Sequence, residues 1–267
     1  MKTQNVHLVC IDPQNDFCDK DRGSLYVKGA DRDMKALADF INRAGDTLSD
    51  ISVTLDSHST LHIAHPIFWR NSKGEHPQPF TAIARPDVEA GRWTTTNPRW
   101  MKRGLEYVTA LEKNHRYVLT IWPPHCLIGS WGHGVYPAVS DALIAWENKN
   151  FARVSYLVKG SNILTEHYSA VRADVPDDED ESTKLNSAFI DTMSVADRIY
   201  ITGEALSHCL ANTFQDVAEA FGEENIKKFV LLRNTTSSVP GFEALGENFI
   251  KDMVKRGMRV MDTADVR

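Results

Sequence analysis

The chain has 267 residues, of which 42% are hydrophobic, 25% charged and 9% aromatic, and its formal net charge at pH 7 is −6. These fractions belong to a globular protein and exclude collagen-like, coiled-coil and disordered classes. The negative balance argues against a dedicated nucleic-acid or anionic-membrane surface.

The first apolar run, 6–11 (VHLVCI), predicts a strand that ends directly in IDPQNDFC. Helical periodicity over 31–47 and a strand at 51–55 follow, the latter running into LDSHSTLH. Residues 66–121 carry Pro66, Pro77, Pro79, Pro86 and Pro98, and are long for a simple connection. They hold a predicted helix (99–113) and strand (117–122), and we read them as an insertion into one 1–267 domain. Beyond WPPHC, helices are expected at 136–148, 183–194, 206–221 and 242–256, alternating with strands at 154–158, 198–202, 228–232 and 258–261. In the helix over 206–221, Leu210, Phe214, Val217 and Phe221 recur at spacings of four, three and four, an apolar stripe suited to packing on a sheet. The acidic run DDEDE (177–181) reads as a solvated loop entering a helix N-terminus. Such alternation calls for right-handed crossovers and an α/β fold, a mostly parallel central sheet with helices on both faces.

The four cysteines, Cys10, Cys18, Cys126 and Cys209, form no C-x-x-C pair, so a zinc knuckle or thioredoxin-type motif is not indicated. No apolar run approaches the ~20 residues that span a bilayer. The apolar stretch near the start is too brief for a secretory signal. A cytoplasmic location is the expectation. GSWGHG (129–134) does not join the first strand to a helix, so a dinucleotide fingerprint fails on context.

In open α/β sheets, ligands sit beyond the carboxyl ends of the strands. Four strand ends here carry reactive side chains: Asp12, the pair Asp56 and His58, Lys159, and Cys209. Each has a bland reading alone. Cys209 is the kind of thiol that often serves as a small buried hydrophobe; Lys159 precedes Gly160 at a turn; Asp12 suits a cap or turn. The set on one rim carries the functional reading.

IDPQNDFC (11–18), LDSHSTLH (55–62), WPPHC (122–126), VKG…HYSA (158–170) and GEALSHC (203–209) occur in an order that resembles the isochorismatase-like cysteine hydrolases, and within them the nicotinamidase (nicotinamidase/pyrazinamidase) branch. The resemblance spans residues 6–216 and implies a three-layer isochorismatase-like fold with a catalytic triad of Asp12, Lys159 and Cys209. A cation beside a thiol lowers its pKa, and Lys159 would supply that cation. Asp12 would act as general base and then acid, and Cys209 would attack an amide carbonyl to give a thioester. Backbone N–H groups of Ala205 and Cys209 would form the oxyanion hole, with a cis bond at Glu204–Ala205. The branch also implies a divalent metal, zinc first and iron or manganese as alternatives, held by Asp56, His58 and His125. Phe17, Trp122 and Tyr168 would line a pocket for a flat heterocycle; for Trp122, core packing at a strand end is the plain alternative. His62 matches another histidine usual in the branch and is read as an outer-sphere or loop residue, with a place among the metal ligands as the alternative; His65 is read as a loop histidine. Dimers or tetramers are implied for the assembly.

Three features depart from the branch. Ser57 stands where a tryptophan is usual, Glu204 where a small apolar residue is usual, and His58 and His125 are 67 positions apart, a long gap. The expected reaction is hydrolysis of nicotinamide to nicotinate and ammonia, as in NAD salvage. A different small amide, ureide or carbamoyl substrate is the nearest alternative, and a non-catalytic ligand-binding module is a third.

Overall fold

A computed structural model describes residues 4–113 and 117–266. Its elements in chain order are β1 (Val6–Ile11), α1 (Asn15–Cys18), α2 (Ala30–Ala44), β2 (Asp50–Asp56), β3 (Trp69–Arg70), β4 (Ala82–Ile83), α3 (Arg85–Glu89), β5 (Thr94–Thr95), α4 (Met101–Lys113), β6 (Leu119–Thr120), α5 (Pro137–Asn150), β7 (Ser155–Lys159), α6 (Ser187–Ser194), β8 (Arg198–Gly203), α7 (Ala211–Phe221), β9 (Phe229–Leu232), α8 (Glu243–Lys255) and β10 (Arg259–Met261).

Six strands form one parallel sheet in the order β10-β9-β8-β1-β2-β7. Central β1 is buried along its whole length, as a near-continuous apolar run should be in a sheet covered on both faces. Alternate residues serve opposite layers. Leu8 and Cys10 join the core that includes Met34, Leu37, Phe40 and Ile41 of α2 and Val139 and Leu143 of α5. Val9 and Ile11 join the core built with α6, α7 and α8, where Leu210, Phe214 and Val217 of the predicted stripe sit, with Phe221 at its margin. Burying each such large apolar side chain contributes about 1.5–3 kcal/mol.

The predicted strand over 117–122 shrinks to two residues, and it pairs antiparallel with β4 instead of extending the central sheet. Its neighbourhood explains this. Pro123 and Pro124 offer no N–H to a ladder, and Ile121 and Trp122 bond to Thr81 and Ala64 in loops. The predicted helix at 183–194 is likewise shorter: Asn186, whose side chain accepts from Phe189 N–H, caps α6 three residues late. The side chains of Trp69, Ile83, Val88, Tyr107 and Leu111, all from 66–121, belong to the same apolar cluster as α2 and α5. Asp180 of the acidic run caps the short turn Glu181–Thr183. Among the described residues, no helix is long and apolar enough to cross a membrane.

Candidate active site

Strand register assembles the site. In the β2–β7 pair, Asp56 lies opposite Lys159, so both side chains leave the sheet on the same side. In the β1–β8 pair, Ile11 lies opposite Gly203, which brings Asp12 and Glu204 out of adjacent strand ends. Gly203 is required there: a Cβ would fall 2.0 Å from the Ile11 carbonyl oxygen, and its φ is +106°. Gly160, at φ +82°, does the same beside the acids, where a Cβ would lie 2.8 Å from Asp56 Oδ1 and from the His58 ring. Cys209 sits in a π-helical turn (Leu206–Leu210) that feeds α7.

Lys159 is the centre of the arrangement. The residue is only 2% exposed, and its ammonium lies 2.9 Å from Asp12 Oδ2, 3.0 Å from Asp56 Oδ1, 2.9 Å from the His167 carbonyl oxygen and 3.5 Å from Cys209 Sγ. Burial opposes its charge, but the two carboxylates outweigh burial and hold it firmly protonated. Asp12 accepts from the Thr54 hydroxyl at 2.5 Å. Burial raises its carboxyl above the ordinary range, with Lys159 opposing and Asp56 adding to the rise.

Charge and desolvation compete at the thiol. Lys159 does pull the Cys209 thiol down, but burial pushes it up by more, and Asp12 and Asp56 add to the rise. Burial therefore favours the thiol form of Cys209, and Asp12 lies within 4.8 Å of it, beside the Lys159 ammonium. The sequence supplied the cation but not the degree of desolvation, and desolvation wins.

On the other side of Lys159 lie Asp56, His58 and His125, whose nitrogen and oxygen atoms fall within 4.8 Å of one another. His58 Nε2 is 3.1 Å and His125 Nε2 3.4 Å from Asp56 Oδ2. Each ring's Nδ1 faces a carbonyl oxygen, Gly160 at 3.0 Å for His58 and Pro123 at 2.8 Å for His125. With Nδ1–H donating outward, both Nε2 atoms face the carboxylate, and shedding any Nε2 proton would turn them into ligands aimed at a shared metal. Burial favours neutral His58, yet Asp56 and Glu166 overcome it and lift its pKa to about 9. The environment thus draws positive charge into this spot, and the donor set fits a divalent cation.

Glu166 is a residue the sequence reading missed. Its Oε1 is 3.8 Å from His58 Nε2, and it lines the same pocket. A carboxylate seven positions beyond Lys159 in the same loop was the available signal. His62 forms a second group with His58 and Glu166, with ligand atoms within 4.8 Å of one another, while its Nδ1 accepts from Ala64 N–H and its Nε2 faces the Thr165 carbonyl. His65 lies in its loop as expected but is fully buried, edge-on to His58 and His125.

The pocket above Cys209 is lined by Phe17, Trp122, Tyr168, His208, Ala205 and Val239 among others. All three predicted aromatics are therefore present. Trp122 Nε1 donates to Tyr168 Oη at 2.8 Å, and the His208 ring stands perpendicular to Trp122 at 5.3 Å. Sequence reasoning passed over His208, taking only Glu204, Ala205 and Cys209 from the motif. The Glu204–Ala205 bond is cis, as the resemblance implies. Among the described residues, Ala205 N–H donates to no backbone acceptor. The departures also find their places. Ser57 Oγ bonds His133 Nε2 at 2.7 Å. Gly132 of GSWGHG lets its loop press on Asp16, where a Cβ would collide at 2.0 Å.

The nicotinamidase of Saccharomyces cerevisiae is 24% identical over 212 residues, covering 79% of this chain and 81% of the relative. The structure of the yeast nicotinamidase superposes with a TM-score of 0.65 at 21% identity, over 96% of this chain and 99% of that one. The chain has the isochorismatase-like α/β fold of the nicotinamidases. The Acinetobacter baumanii nicotinamidase/pyrazinamidase gives 0.66 at 21% identity over 99% of both chains. A pyrazinamidase of Pyrococcus horikoshii, solved in complex with zinc, gives 0.56 at 17% identity over 97% of this chain and 99% of that one. No family model matches the sequence.

Proposed function

We propose that the chain is a metal-dependent cysteine amidohydrolase that converts nicotinamide and water to nicotinate and ammonia. The observation that carries the reading is the Lys159 ammonium, in contact with Asp12, Asp56 and Cys209 at the floor of an aromatic pocket. Cys209 Sγ attacks the carboxamide carbon while its proton passes to Asp12, whose carboxylate lies within 4.8 Å of the thiol. A thiol that rests protonated makes this transfer part of the attack itself. The carbonyl oxygen becomes an oxyanion facing Ala205 N–H and Cys209 N–H. Collapse expels ammonia, protonated on leaving by Asp12, and leaves a thioester. Asp12 then deprotonates water for attack on the thioester; nicotinate departs and the proton returns to the thiol. Lys159 stays charged throughout and holds Asp12 in place.

Asp56, His58 and His125 would hold the ion, zinc first and iron or manganese as alternatives, with Glu166 beside it. Bound there, it supplies a Lewis-acidic contact for the pyridine nitrogen. Phe17, Trp122, Tyr168 and His208 enclose the ring. The chain acts as one domain with 66–121 as its insertion, in the cytoplasm, on a small-molecule substrate, and as a homo-oligomer. Another small amide, ureide or carbamoyl substrate is the second reading, favoured by a neighbouring cavity of about 420 Å³ that shares Tyr168 and His208 with the catalytic pocket.

Ammonia release from nicotinamide by purified protein, with Cys209→Ala as the blank, tests the first reading. Cysteine-dependent release supports it. No release above the blank, with metal confirmed bound, rejects nicotinamide and directs a panel of other small amides to the same thiol.

A further inference from the structure

Behind the pocket wall lies a second pair of acids that the mechanism does not use. Glu204 is fully buried, and its Oε2 accepts from Ser237 N–H at 3.1 Å. Its other oxygen meets no N–H or hydroxyl donor; the Glu204 carboxyl instead hydrogen-bonds the carboxylate of Asp33 on α2. Asp33 Oδ2 in turn accepts from the Ser237 hydroxyl at 2.5 Å. Two carboxyls in mutual hydrogen-bond contact cannot both ionise at ordinary cost, so one proton is shared between them. Three more bonds fasten the same segment to the oxyanion loop: Thr236 Oγ1 to the Gly203 carbonyl at 2.6 Å, Leu206 N–H to the Ser237 carbonyl at 2.8 Å, and Val239 N–H to Ser207 Oγ at 3.0 Å. Residues 236–239 thus hang between α2 and the turn that bears Ala205 and Cys209, and Val239 at their end lines the catalytic pocket.

We propose that Glu204 is a positioning residue: through a proton shared with Asp33 it locks residues 236–239 onto the oxyanion loop and so fixes the Ala205 N–H and the Val239 wall. Burial and the Asp33 charge both keep the Glu204 proton on, against the Ser237 N–H and the more distant Arg233. The other groups facing the pair are Arg32 of α2 and the buried Cys18 thiol of α1, whose proton Glu204 and Asp33 help to retain. The proton that binds the two acids is therefore a stable part of the fold at neutral pH, and its loss at alkaline pH would set the buried Glu204 charge against that of the half-buried Asp33.

The kinetic arm of the test rests on the proposed amidohydrolase activity, and the unfolding arm does not. Glu204→Ala should lower kcat about tenfold or more while KM changes by no more than a few-fold, because the displaced donor serves the developing oxyanion. Glu204→Gln, whose amide can donate to Asp33 and accept from Ser237, should restore most of that kcat. In thermal or urea unfolding from about pH 5 to about pH 9, the wild type should lose stability relative to Glu204→Gln, by up to tenfold in the unfolding constant per pH unit for one proton. The sign follows from a folded pKa above the unfolded one: stability is complete below the ordinary glutamate range and falls as pH climbs. Parallel stability–pH curves for wild type and Glu204→Gln would overturn the shared proton, whether or not nicotinamide is the substrate. An unchanged kcat in a folded Glu204→Ala would overturn the positioning role.

Discussion

Lys159 divides the buried site into two halves governed by opposite outcomes of the same contest. On the side of Asp12 and Cys209, desolvation outweighs nearby charge and both acids keep their protons more tightly than in water. On the side of Asp56 and His58, two carboxylates outweigh desolvation, and the histidine holds a positive charge up to about pH 9. One half is built to pass a proton between the Cys209 thiol and the Asp12 carboxylate, the other to concentrate negative charge around a cation. A single ammonium serves both, bridging Asp12 and Asp56 at 2.9 and 3.0 Å.

The sharpest way to separate the halves is to remove the proton carrier alone. Asp12→Asn keeps the shape and leaves Asp56 to pair with Lys159, so metal content should match the wild type. Turnover should fall about 10²–10⁴-fold, the range for losing a general acid–base. Measuring kcat alongside metal stoichiometry checks this; a variant that loses its metal in proportion to its activity would show that the halves are not separable.

The metal half should answer differently. His125→Ala removes one imidazole donor and should weaken metal binding by at least about 10–100-fold, the loss that an outer partner alone commonly causes. Metal binding must also expel the His58 proton, so affinity should fall about tenfold per pH unit below about pH 9. In the metal-free protein that proton stabilises the fold below the ordinary histidine pKa of 6.5, and the contribution is lost as pH rises toward 9. Metal titrations at several pH values, wild type against His125→Ala, read both effects. An affinity independent of pH would assign the ion to other residues.

This division also explains what was legible in the sequence. Asp12, Asp56 and Lys159 sit at the ends of β1, β2 and β7, and strands are short apolar runs that announce themselves; once parallel pairing was inferred, their convergence followed. Cys209 came with the turn after β8 for the same reason. The direction of the thiol pKa was not legible, because it depends on how much of the surroundings is dry, a property of packing that residue spacing does not encode. Glu166 and Asp33 were missed for a related reason: one comes from an irregular loop that folds back on His58, the other from the N-terminal turn of α2, and neither has a period that marks it. The strand expected over 117–122 was over-read, since its apolar alternation serves loops around Trp122 and not the sheet.

The smallest effect tests the wall that both halves share. Tyr168 and Trp122 are 7% and 3% exposed, and the indole N–H has the Tyr168 hydroxyl as its acceptor. Tyr168→Phe leaves that N–H buried without a partner, at a cost of about 1–3 kcal/mol in stability. The phenol takes no part in proton transfer or in the metal set, so kcat should stay within a few-fold of the wild type while KM rises as the aromatic wall loosens. Unfolding and steady-state kinetics on one preparation decide it. A fall in kcat as deep as that of Asp12→Asn, with stability unchanged, would put the Tyr168 hydroxyl in contact with the reacting atoms and make the wall part of the proton-carrying half.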